Sequence, residues 1–115
     1  MNLQNNSKII VDKSKFFGYL FEINNLDEIK EIVEKISLKD KKICHICYGI
    51  SFKDEEIFKN DGEVGQPGKI LLNLLKNNNL NEHILIVARI FGRIKLGPAG
   101  VGKAFKRCGE ECLFG

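Results

Sequence analysis

The 115-residue sequence contains no apolar run approaching the roughly eighteen residues that a membrane-crossing helix needs. Its start, Met1–Asn6, is polar and lacks the apolar stretch of a signal peptide. No segment repeats, and no linker-like stretch divides the chain. These absences argue against a helical membrane protein and against a string of domains. The expectation is a cytoplasmic protein with one domain over residues 1–115, of which 1–7 form a disordered or loosely ordered start.

Acid is missing from one stretch. Between Arg89 and Gly109 there are six basic residues (Arg89, Arg93, Lys95, Lys103, Lys106, Arg107) and no Asp or Glu. The rest of the chain holds 12 of the 18 Lys/Arg against all 15 Asp/Glu, so it is net −3 while the whole is +3. A surplus gathered this way fits an anionic partner, and fits a solvated basic helix equally well.

Cysteine is scarce and paired, as Cys44/Cys47 and Cys108/Cys112. Without a secretion signal, disulfides are not expected. A CxxC followed by a CxxxC invites a zinc reading. However, Cys44 and Cys47 sit in a strand-like run, where residues three apart point to opposite faces. Cys108 and Cys112 continue the apolar face of Val101, Ala104 and Phe105. Reduced, metal-free thiols that act as small hydrophobes are the expectation, and no cofactor is expected.

What is present reads as alternating strands and helices. Lys8–Val11 and Phe16–Ile23 are β-rich and separated by the short polar Asp12–Lys15, as in an antiparallel pair. Asn25 opens a helix with Glu28 as capping-box partner, and Leu26, Ile29, Val33 and Ile36 form its buried face. In the strand Ile43–Phe52, Ile46, Tyr48, Ile50 and Phe52 face helices. The small, polar face of His45, Cys47, Gly49 and Ser51 suits a site or solvent. Asp54–Gly68 reads as loop, Lys69–Lys76 as a short helix, and Ile84–Phe91 as a central strand covered on both faces. A helix from about Pro98 to Leu113 ends the chain.

Gly97-Pro98-Ala99-Gly100-Val101-Gly102-Lys103-Ala104 nearly matches the phosphate-binding pattern GxxxxGK[ST]. Ala104 replaces the hydroxyl that would hold magnesium, and no strand runs directly into the loop. Nucleotide hydrolysis is therefore not expected. Glycines at a helix N-terminus still expose backbone donors to an anion, or simply permit a tight loop.

Asp61-Gly62-Glu63, then Arg89-Ile90-Phe91-Gly92, then Ile94-Lys95-Leu96-Gly97 resemble the signature of the YigZ/Impact proteins, roughly DGEPSGTAG followed by TRYFGGIKLGAGGLVRAY. Lys13-Ser14-Lys15-Phe16 resembles that family's KSRF, and His45-Ile46-Cys47-Tyr48 its HxCY. The resemblance spans about residues 8–113, with departures at the acidic loop, at Arg93 and at Pro98. It implies a two-layer α/β sandwich: a mainly antiparallel sheet of about four or five strands, with about three helices on one face. The second domain of a small-subunit ribosomal protein has that fold. It also implies a stand-alone form of a domain that has a second domain in bacterial relatives and a partner-binding domain in eukaryotic ones. The eukaryotic members are linked to control of translation initiation.

Two loops thus carry the candidate residues. Arg89, Arg93, Lys95, Gly97, Gly100 and Lys103 are candidates for anion or nucleic-acid binding, with RNA, the ribosome or a translation-associated protein as partner. Phe91 and Tyr48 are the candidates for base stacking. The acidic loop supplies Asp61, Gly62, Glu63 and Gly65. If His45, Asp61 and Glu63 converge on Arg89 and Lys95, general acid–base chemistry on a small ligand is the alternative. A protein-only adaptor in translation control is the third reading.

Overall fold

The computed structural model describes residues 1–115 as five strands and three helices. In chain order they are β1 (Asn2–Val11), β2 (Ser14–Glu22), α1 (Glu28–Ser37), β3 (Ile43–Phe52), β4 (Glu55–Lys59), α2 (Pro67–Asn77), β5 (His83–Ile90) and α3 (Gly97–Phe114). The strands form one antiparallel sheet in the order β1-β2-β5-β3-β4. This is the expected two-layer α/β fold, with α2 and α3 as its helical layer.

Strand alternation assigns each core. Phe16 and Leu20 of β2, Cys47 of β3 and Leu85 and Val87 of β5 share a face and bury against Leu71 and Leu75 of α2 and Phe105 and Cys108 of α3. Phe16 and Phe105 meet edge to face at 5.3 Å. On the other face Ile46, Ile50, Ile84, Ile86 and Ala88 pack on Ile32 and Ile36 of α1. Helix α1 therefore covers the second face, so helices lie on both faces and not on one, because β5 is apolar on both.

Four further expectations are corrected. Residues 1–7 are not a loose start: β1 begins at Asn2 and pairs with β2 as far as Glu22. Asn5 Nδ2 donates to the Cys112 carbonyl, Ser7 Oγ donates to that of Cys108, and the Met1 ammonium meets Glu28. The expected loop after Asp54 hides β4, an exposed edge strand whose short length leaves no clear alternation to read. Helix α1 starts at Glu28 instead of Asn25, although the Glu28 carboxylate does accept from the Asn24 and Asn25 N–H groups. The small face of β3 is largely covered. Gly49 has α2 directly upon it, and a Cβ there would collide with the Leu72 backbone. Its His45 end reaches the cleft described below, and Ser51 at its other end borders a separate surface hollow.

The cysteines divide by burial. Cys44 is exposed; Cys47, Cys108 and Cys112 are buried, and the last two face the sheet beside Ser7 and Asn5. Burial pushes the Cys108 thiol up to about 11 and that of Cys112 to about 12, and it raises Cys47 as well. Mild thiol labelling of the native protein near neutral pH should therefore modify Cys44 alone, the other three reacting only after denaturation. Fast labelling of Cys108 or Cys112 contradicts this packing.

Candidate functional site

Arg89 ends the buried strand β5 and is itself only 5% exposed. A guanidinium removed from water must be paired. Its Nη1 donates to Glu63 Oε2 at 2.9 Å, and the Glu63 side chain is likewise 5% exposed. Its Nη2 donates to Ser14 Oγ at 3.2 Å. The same hydroxyl accepts the Gly92 N–H at 3.1 Å. The rings of Phe16 and Phe91 each lie 5.5 Å from the guanidinium carbon. Nε alone is buried without a partner.

This pair joins the acidic loop to the end of β5. The loop is pinned at its other points by its own polar groups. Asp61 Oδ2 accepts the Ile46 N–H at 2.7 Å, and its carbonyl lies 2.9 Å from His45 Nδ1. A carbonyl only accepts, so His45 carries its proton on Nδ1 there. Its Nε2 then faces Glu63 Oε2 at 3.6 Å. Asn60 Oδ1 accepts the Gly68 N–H at 2.9 Å and so serves the uncapped start of α2. Gly62 and Gly65 take positive φ, and Gly65 lies against the Pro98 carbonyl, where a side chain would collide.

The two loops enclose a cleft of about 420 Å³. Cys44, His45, Glu63, Arg89, Phe91 and Lys95 line it, and Leu96, Pro98 and Val101 supply apolar wall. Gly97, with φ 72°, also borders it. Helix α3 has no side-chain cap. Since Pro98 lacks an N–H, the free donors of its first turn reduce to Leu96, Gly97 and Ala99. Gly100 lies one position further in, where the N–H is taken up by the helix, so it offers no donor. The P-loop likeness ends here: from Gly97 onward the backbone is helix, not a phosphate-wrapping loop.

The structure brings together His45, Glu63, Arg89, Phe91, Lys95 and Gly97 in this cleft, and not the other candidates. Asp61 is turned to β3. Arg93 does not share a side with Lys95, because φ of 68° at Arg93 breaks any extended alternation of the connector. It lines a separate hollow of about 400 Å³ with Lys15, Asp40 and Lys42. Ile94 is exposed. Lys103 borders a third hollow, with Gly65, Gln66, Pro98 and Lys106. Of the two aromatic candidates, Phe91 is 45% exposed at the cleft, whereas Tyr48 lies on the α1 side of the sheet.

Ser14 is the site residue that the sequence reading left without a role. It is fully buried, and its hydroxyl accepts from both Arg89 and Gly92. Its place in the lysine–serine–lysine–phenylalanine run was the available signal. Ser14→Ala should lower unfolding free energy by about 2 kcal/mol, since two buried donors lose their acceptor. Urea denaturation checks it, and an unchanged midpoint contradicts the network.

Comparison with known proteins follows the same residues. Residues 12–113 match the Impact N-terminal domain family. The IMPACT family member YvyE of Bacillus subtilis is 27% identical over 110 residues, covering 92% of this chain and 51% of that protein. The IMPACT family member of Haemophilus influenzae is 30% identical over 109 residues, covering 90% of this chain and 53% of its own length. The chain thus spans about half the length of these relatives. A crystal structure described as that of a hypothetical protein superposes with a TM-score of 0.85 at 24% identity, over 97% of this chain and 58% of the other. Yih1, described as a two-domain translational regulator, superposes with a TM-score of 0.52 at 19% identity, over 97% of this chain and 45% of its own. The residues that build the cleft lie within the matched span, and the chain belongs to the Impact N-terminal domain family.

Proposed function

We propose that this domain is a binding module for a phosphate-bearing partner, RNA of the translation apparatus, rather than an enzyme. One observation carries the reading. Of the six cations between Arg89 and Arg107, Arg89 is paired with Glu63 and Arg107 with Glu111, while Arg93, Lys95, Lys103 and Lys106 are exposed and in no ion pair. Lys95 and Lys103 flank the uncapped N-terminus of α3, whose dipole and free N–H groups add to the same field. Unpaired cations beside a helix N-terminus repel one another, and a polyanion relieves that repulsion. The description of Yih1 as a translational regulator supports placing the partner in translation.

The cleft favours a second reading, in which a small phosphate-bearing ligand sits between the loops. His45 Nε2 and Glu63 are placed there for proton transfer only if a ligand enters. Both carboxylate oxygens of Glu63 are already engaged, Oε2 by Arg89 and Oε1 by the Val64 N–H, which weighs against Glu63 as a base.

Replacing Arg93 and Lys95 together by Ser should leave thermal stability nearly unchanged, as both are exposed. It should weaken binding of a single-stranded RNA oligonucleotide and flatten the dependence of log affinity on log salt by about one unit per lost contact. Filter binding over a salt series measures this. A double variant that binds like the parent across the series contradicts the proposal.

A further inference from the structure

We infer that the cleft between the two loops holds one nucleoside monophosphate unit, its base stacked on Phe91 and its phosphate against Lys95 and the first turn of α3. The inference deepens the RNA reading and rests on it for the natural source of the nucleotide. The volume, about 420 Å³, lies within the range of small-ligand clefts.

Phe91 is the first argument. Phe91 is 45% exposed, and the Arg89 guanidinium lies 5.5 Å from the centre of its ring. A ring exposed at a cleft offers a flat face to a base, and a neighbouring cation adds to the stack. Arg89 is the second. It lines the cleft while buried, with every nitrogen satisfied except Nε. A buried donor without an acceptor, on a residue that lines the cleft, marks an incomplete site.

The phosphate end is separate and polar. Lys95 is free of carboxylates, and Gly97 opens α3 with no side chain to cap it or crowd it. Glu63 also lines the cleft, but Arg89 balances its charge. Val64, Leu96 and Val101 form the apolar wall on which the sugar would rest. An inorganic anion would use only Lys95 and the helix start, and would leave Phe91 without a role.

The test titrates the full chain with adenosine monophosphate, adenosine, ribose phosphate and a short single-stranded RNA oligonucleotide, following backbone amides by NMR. Adenosine monophosphate should shift the amides of Phe91, Gly97 and Ala99. Phe91→Ala should weaken it about tenfold and leave ribose phosphate unaffected, with Phe91→Tyr restoring the affinity. Lys95→Gln should weaken both phosphates and leave adenosine alone. The inference is overturned if adenosine monophosphate binds no better than ribose phosphate, or if Phe91→Ala changes nothing. RNA bound with steep salt dependence but indifferent to Phe91→Ala overturns the cleft and leaves the RNA reading standing. Adenosine monophosphate bound at these amides with no RNA binding supports the cleft, names the free nucleotide as its source and overturns the RNA reading.

Discussion

A charge that β5 carries into the interior organises this molecule's working end. Five consecutive apolar residues, Ile84–Ala88, put β5 in the middle of the sheet, and Arg89 follows before the strand has reached the surface. An unpaired guanidinium at that depth would cost several kcal/mol. Glu63 answers it from the acidic loop. One buried ion pair therefore fixes the acidic loop against the β5–α3 connector, and the cleft is the space left between them.

The remaining contacts are arranged around that pair. Ser14 takes the second guanidinium nitrogen and the Gly92 N–H, so the β1–β2 turn is drawn to the same point. Asp61 and Asn60 use their side chains on the backbone of β3 and the start of α2, which stiffens the loop that presents Glu63. Gly65 allows that loop to touch the start of α3. The acidic loop thus spends its charge internally, while the connector and α3 keep theirs for solvent. Electrostatic asymmetry across a single small cleft is the outcome, as the proposed anionic ligand requires.

Much of this was legible in the sequence, for identifiable reasons. The apolar runs of β3 and β5 and the helical spacing of α1 gave the sheet and its layers. The two loop motifs fall on the two sides of the cleft, and the run of six cations from Arg89 to Arg107 begins on one of them. Other features were not legible. The opposite charges of the two loops suggest that they meet, but the burial of Arg89 was not legible, because its partner lies 26 positions away and no local pattern announces a buried pair. The small residues of β3 read as an open face, whereas Gly49 is small because a helix backbone rests on it. The strand β4 carries too little apolar alternation to separate it from loop. The positive φ of Arg93, which turns it away from Lys95, depends on the bend of the connector rather than on its composition.

The buried pair itself is measured most directly by a double-mutant cycle in urea, using Glu63→Gln, Arg89→Met and the two together. Each single replacement leaves a buried group without its partner and should cost about 3 kcal/mol or more. The double replacement should cost far less than the sum, giving a coupling free energy of about 2 kcal/mol. Additive losses, with a coupling below about 0.5 kcal/mol, would show that Arg89 and Glu63 do not hold the two loops together.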